Sequence, residues 1–186
     1  MKANSACLRT DFMTAKKHLR LGFLNVSTLR EGNRLDELVE RALKFQLDIF
    51  ATSETRRLSF GTEKLKGYKF LFTGQNDHHC EGVGLLLSTE ASKALLERTL
   101  VKSCILTARF ASQRANMTTV PVYAPTNDRD SNIKDELYRT LKDIIRAAHQ
   151  HNIMCVLGDH NAKFVDDTEY APSISGRLVV GNLNEN

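Results

Sequence analysis

Three short apolar runs, each of strand length and each ending in polar residues with no packing role, constrain this chain more than any other feature. Leu21, Phe23, Leu24 and Val26 surround Asn25. Residues 47–51 run into Thr52, Ser53 and Glu54, and residues 153–157 run into Gly158, Asp159, His160 and Asn161. Runs this short and this apolar suit strands buried within a sheet better than helices. If the three strands lie side by side and point the same way, their ends gather Asn25, Glu54, Asp159 and Asn161 at one rim of the sheet. Carboxylates and amides converging there make a hard-oxygen site suited to Mg²⁺ or Mn²⁺ rather than a soft-ligand site for zinc.

Helical spacing alternates with these runs. Leu35, Leu38, Val39, Ala42 and Leu43 recur at the helical period, and so do Ile133, Leu137, Leu141, Ile144, Ile145 and Ala148. Asp130 or Ser131 is the expected cap of the second helix, with Asp135 and Glu136 in its first turns. Residues 68–72 and 83–87 read as further strands, the latter opened by Gly82 and Gly84. Residues 90–97 read as one or two helical turns. Residues 105–110 and 118–123 form a strand pair across the polar turn 112–116. Pro121 within the second of these signals an edge strand or a bulge, because proline cannot donate to a ladder. Periodicity stops after Lys163, apart from a brief apolar run at 178–180. The pattern predicts an α/β fold of layered type, a sheet core covered by helices.

A chain of 186 residues with 41% hydrophobic residues has room for one domain with a substantial core. No apolar run approaches the ~18 residues of a membrane helix, so the expectation is a soluble protein with no membrane partner, nuclear or cytoplasmic. The net charge of +4 is uninformative about nucleic acid, because residues 1–20 carry five basic residues against Asp11 alone and the remainder is neutral. Any phosphate-binding footprint must therefore be local. Residues 1–18 are expected to be a disordered basic leader; they lack the apolar segment and cleavage site of a secretory signal. Cys7, Cys80, Cys104 and Cys155 form no CxxC pair and are expected to be free thiols in a reducing compartment.

Five short motifs occur in one order: LNVSTL at 24–29, SETR at 53–56, Gly82-Val83-Gly84, VYAPT at 122–126 and GDHNA at 158–162. In this order they resemble the endonuclease/exonuclease/phosphatase superfamily, and within it the endonuclease domains of RTE-type LINE retrotransposons. The resemblance covers residues 19–186. It implies a DNase I-like layered α/β sandwich and a Mg²⁺-dependent phosphodiesterase that nicks DNA. It further implies Glu54 as the metal-binding glutamate, supported by Asn25, and Tyr123 as the tyrosine that positions the phosphate. Asp159 corresponds to the aspartate that orients or deprotonates the attacking water, and Asn161 to the asparagine that contacts the phosphoryl oxygen. Arg30, Arg56 and Arg57 follow the first two motifs directly and would supply local phosphate contacts.

Each residue also has an ordinary structural reading. Asn25 and Asn161 can be turn asparagines bonded to their own backbone, and Glu54 a solvated charge at a strand end. Tyr123 can be a core aromatic whose hydroxyl reaches the surface, and Asp159 part of a turn. Arg30, Arg56 and Arg57 can be simply solvated. His78, His79, Cys80 and Glu81 look like a metal cluster on paper, but adjacent histidines in a loop rarely supply closed-site geometry. His149 and His151 are accounted for by the favourable field at a helix end.

Three departures from the family pattern stand out, one of them Pro121, just before the tyrosine motif, which is expected to perturb the strand that presents Tyr123. The sequence contains no Ser-Asp-His run, the family's last motif, so the domain is expected to be incomplete at its C-terminal end and its activity impaired. His160 stands where the family has a bulky apolar residue, and strand alternation points it away from Asp159 and Asn161. Missing strands are expected to leave an unpaired edge and apolar faces open, with low solubility or oligomerisation as the result. The alternative reading is a non-catalytic remnant that binds nucleic acid or a protein partner. A phosphatase acting on a small phosphoester is a third, since one chemistry serves several substrates in this superfamily.

Overall fold

The computed structural model describes residues 18–126, 130–148 and 152–161. Among these described residues nine strands and three helices follow one another: β1 (Leu21–Asn25), α1 (Arg34–Lys44), β2 (Ile49–Ser53), β3 (Phe60–Leu65), β4 (Tyr68–Thr73), β5 (Val83–Leu87), α2 (Thr89–Ala94), β6 (Leu95–Lys102), β7 (Ile105–Phe110), β8 (Met117–Tyr123), α3 (Ser131–Ala147) and β9 (Ile153–Asp159). They form a five-stranded sheet in the order β1-β2-β5-β4-β3 and a four-stranded sheet in the order β6-β7-β8-β9. β1 pairs parallel to β2 and β8 parallel to β9; the other pairs are antiparallel.

Side-chain alternation decides the layering. Ile49, Ala51, Leu71, Leu85 and Leu87 of the first sheet meet Leu106, Ala108, Phe110 and Met117 of the second in one buried cluster. The opposite face of the first sheet, with Phe50, Phe70 and Leu86, is covered by Leu35, Leu38, Val39 and Ala42 of α1. Val120 and Val122 on the outer face of the second sheet are covered by Leu137 and Leu141 of α3. The result is a layered α/β sandwich, helix–sheet–sheet–helix. Each large side chain sealed in such a core contributes about 1.5–3 kcal/mol.

Two strands lie outside the expected pattern. β3 and β6 are the outer strands of their sheets. They read as polar because adjacent charged residues, Glu63 and Lys64 in β3 and Glu97 and Arg98 in β6, interrupt their apolar ones, a usual defence of a sheet edge. Pro121 requires a correction: β8 is an interior strand, not an edge. Its ladder to β7 pairs Ile105 with Val122 and Ala108 with Thr119, without a change of register, and skips Val120 and Pro121. On the β9 side Pro121 stays in register with Leu157, and Tyr123 with Asp159. The missing N–H thus falls at a gap in the ladder, and the presentation of Tyr123 is preserved.

Asp130 caps α3, its carboxylate accepting from the Asn132 N–H at 2.9 Å. Asp130→Ala is expected to lower stability by about 1 kcal/mol, read as a fall of about 2–4 °C in Tm by thermal unfolding. Among the described residues no helix is long and apolar enough to cross a membrane, and Cys80, Cys104 and Cys155 are free thiols. Burial pushes the Cys104 thiol up to about 11, with the charge of Glu81 adding to it. Residues 1–17, with Cys7, and His149, His151 and the run 178–180 lie outside the described residues. Beside β1 lies an open groove of about 590 Å³ whose lining includes Leu21, Phe23, Phe45 and Leu47.

Candidate active site

The strand ends meet, but not in one sheet. β1 and β2 are neighbours and deliver Asn25 and Glu54 from the first sheet; β9 delivers Asp159 from the second. The expectation of three strands side by side is corrected here, because β9 reaches the rim from across the sandwich. At this rim a single amide bridges the two carboxylates. The Asn25 Nδ2 donates to Glu54 Oε1 at 2.7 Å and to Asp159 Oδ2 at 3.1 Å, while Asn25 Oδ1 accepts from the Ser27 N–H at 3.0 Å. Two carboxylates bound to one NH₂ group are two like charges held together, a concentration of negative potential that favours a cation.

Backbone around Glu54 is fixed by several bonds. Val26 N–H donates to the Ser53 carbonyl, Leu29 N–H to that of Thr55, Thr55 N–H to that of Gly82 and Arg56 N–H to that of Glu81. These bonds hold Glu54 and Arg56 in the left-handed region, at φ 53° and 50°, with Ser27 at 57° and Asn161 at 47° nearby. Side chains other than glycine adopt that region at a cost of about 1–2 kcal/mol each. Glu54 and Arg56 both flank the buried Thr55, so the kinked exit of β2 turns Glu54 back toward Asn25 rather than onward with the strand. Gly82, at φ 122°, supplies the partner segment, and a Cβ there would lie 2.4 Å from Thr55 Oγ1 and 2.7 Å from the Thr73 carbonyl oxygen.

Asp159 is fixed at its other oxygen as well, where Oδ1 accepts from the Asn161 N–H at 3.0 Å. The Asn161 amide donates to the Ala124 carbonyl at 2.6 Å, and Ala124 N–H donates to the Asp159 carbonyl. The ends of β8 and β9 are thereby tied into one unit. Tyr123, half-buried, has its hydroxyl held above the usual range by burial first and then by the charges of Glu54, Asp159 and Glu81, with Arg56 opposing. The phenol therefore stays protonated at neutral pH and is a hydrogen-bond donor beside the two carboxylates.

The three arginines separate. Arg56 pairs with Glu54 at 3.2 Å. Arg57 is held by Glu63 at 2.7 Å and lies over the Phe72 ring, away from the carboxylates. Arg30 is exposed on the loop after β1, its N–H donating to Thr28 Oγ1 at 3.3 Å. His79, Cys80 and Glu81 each have other partners: His79 Nδ1 contacts the Arg56 carbonyl at 2.7 Å, Cys80 Sγ donates to Gln75 and Glu81 accepts from Ser103. His79 is thus a buttress of the strained Arg56 backbone, a role that residue spacing does not reveal. The His160 carbonyl accepts from the Tyr138 hydroxyl of α3 at 3.4 Å.

Among the described residues no group of three or more histidine, cysteine or acidic side chains is placed to hold a metal. A hard divalent cation bound by one or two carboxylates, water and substrate oxygens asks for fewer protein ligands. Glu54 and Asp159 meet that requirement in charge and in donor chemistry. Asn25, whose nitrogen faces both carboxylates, positions them.

No family model matches the chain. It is 25% identical over 170 residues to craniofacial development protein 2 of Bos taurus and 24% identical over 170 residues to that of Tragulus javanicus; the matches cover 91% of this chain and 28% and 29% of those proteins. The chain thus spans less than a third of the length of the curated relatives it matches. Among solved structures it is similar to the endonuclease domain of TRAS1, a telomere-specific non-LTR retrotransposon, with TM-score 0.58, 14% identity, and coverage of 79% of this chain and 61% of that one. It is similar also to D. rerio TDP2 complexed with a single-strand DNA product, with TM-score 0.55, 15% identity, and coverage of 78% and 62%. A third is an endonuclease/exonuclease/phosphatase family protein from Leptotrichia buccalis, with TM-score 0.54, 11% identity, and coverage of 78% and 67%. The fold is that of the endonuclease/exonuclease/phosphatase, DNase I-like enzymes.

Proposed function

We propose that this chain carries the metal-binding and water-orienting part of a Mg²⁺-dependent phosphodiesterase site that nicks DNA, in the manner of a retrotransposon-type endonuclease. The observation that carries the proposal is the Asn25 amide holding Glu54 and Asp159 together at the rim of a sandwich with the nuclease fold. Glu54 would hold Mg²⁺, with Mn²⁺ as a substitute. The bound ion supplies positive charge that polarises the phosphate and stabilises the charge developing on it. Asp159, with both oxygens fixed by hydrogen bonds, is oriented to take a proton from the attacking water. Tyr123 donates a hydrogen bond to the phosphate, Asn161 contributes a further polar contact, and Arg30 and Arg56 neutralise backbone charge. The same reading puts the protein where DNA is, in the nucleus or cytoplasm.

A second reading, a domain that binds nucleic acid without cutting it, is favoured by two bonds. Glu54 Oε2 is paired with Arg56, and the Asn161 amide is turned to the Ala124 carbonyl. Supercoiled plasmid separates the two. Conversion to open circles in Mg²⁺, stopped by EDTA, is the expected result. Plasmid that is bound yet stays supercoiled across Mg²⁺ and Mn²⁺ titrations supports the second reading instead.

A further inference from the structure

Lys134 is a charged residue buried as deeply as the core: it is 5% exposed, on the face of α3 that carries Leu137 and Leu141. Lysine is seldom buried to this degree without a carboxylate partner. Among the described residues Lys134 forms no ion pair and no side-chain hydrogen bond. Among the described residues its ammonium is not one of the sealed, partnerless side-chain atoms, which fits a lysine that buries its stem and keeps its charged tip at the surface. The nearest carboxylate by helical spacing, Asp130, caps the helix.

The topology fixes where that tip emerges. α3 connects the parallel strands β8 and β9, so it runs back against them and begins at the end of the sandwich that carries the candidate site. Leu137, one turn on, lines a cavity with Tyr123 and Pro125. Tyr138, four residues on, bonds the His160 carbonyl. Lys134 stands between these two flanks and one turn nearer the helix start. Helical side chains lean toward the N-terminus, so its stem extends toward the joined ends of β8 and β9, where Asn161 bonds Ala124.

We infer that Lys134 is a positioning residue whose ammonium binds a phosphate of the nucleic-acid backbone flanking the cleaved bond. The inference rests on the nuclease reading of this site. Charge supports it: Arg56 is paired with Glu54 and Lys102 with Glu136, whereas Lys134, like the exposed Arg30, has no acidic partner among the described residues. A cation without an acidic partner among the described residues, at the helix start on the side of two clustered carboxylates, matches a ligand that needs both, a phosphate chain crossing a metal site.

The test is binding of a blunt 20-base-pair DNA duplex by the full chain in Ca²⁺, titrated across salt concentrations, for the natural protein and for Lys134→Met and Lys134→Arg. Methionine keeps the buried stem and removes the charge. The expected result is about 5- to 20-fold weaker binding by Lys134→Met, a salt-dependence slope smaller by about one, an unchanged or higher Tm, and recovery of affinity in Lys134→Arg. Equal affinity and slope for the natural protein and Lys134→Met overturn the inference and leave the nuclease reading standing. Absence of duplex binding by the natural protein also overturns it. Binding that depends on Lys134 in a protein that never nicks plasmid removes the nuclease reading and with it the placement of that phosphate beside a cleaved bond.

Discussion

Replacing Glu54 or Asp159 by alanine is expected to lower the rate of plasmid nicking by about 100-fold or more, the scale on which positioned proton acceptors and metal-held charge act. Glu54→Ala removes the carboxylate proposed to hold Mg²⁺. Asp159→Ala removes the proton acceptor for water. The two losses should not add, because both carboxylates serve one event and share one amide donor. Each variant is expected to unfold at or slightly above the natural Tm, since removing one carboxylate relieves the repulsion between the pair. Nicking that survives either substitution, measured on protein free of contaminating nuclease, would remove the site from these residues.

Gly158→Ala is expected to damage stability and activity together. A Cβ at Gly158 would lie 2.1 Å from the carbonyl oxygen of Val122 and 3.1 Å from its Cβ. The obstacle is backbone in the next strand and cannot rotate away. Relief requires β8 and β9 to separate at the point where Tyr123 is in register with Asp159. Overpacking of this kind costs about 1–3 kcal/mol, a fall of roughly 3–10 °C in Tm for a domain of this size, and nicking should fall with it. Gly32→Ala is the control: nothing lies within 4 Å of a Cβ there, and neither Tm nor activity should move. A Gly158→Ala protein as stable as the natural one would mean that the two strands are not held as closely as described.

What could be read in the sequence and what could not follow from where each residue sits. Central strands such as β2 and β5 are buried on both faces and announce themselves as apolar runs. α3 announces itself by its amphipathic period. β3 and β6 do not, because an edge strand protected by charge has the composition of a loop. The apolar runs also indicate which residues stand at strand ends, and so Asn25, Glu54, Tyr123, Asp159 and Asn161 were identifiable as candidates together with the order of their motifs. They do not indicate sheet membership. A strand buried in the second sheet looks the same as one buried in the first, which is why β9 was expected beside β1 and β2. His79 against Arg56, and Lys134 inside the inner face of α3, depend on contacts between distant segments that no local period encodes.

The bridge from Asn25 to both carboxylates has a consequence beyond chemistry. Glu54 belongs to one sheet and Asp159 to the other, so their separation measures the spacing of the two layers. Compression or slippage of the sandwich would change the distance across that single amide. The interior of this fold is therefore a caliper, and its jaws are the two carboxylates.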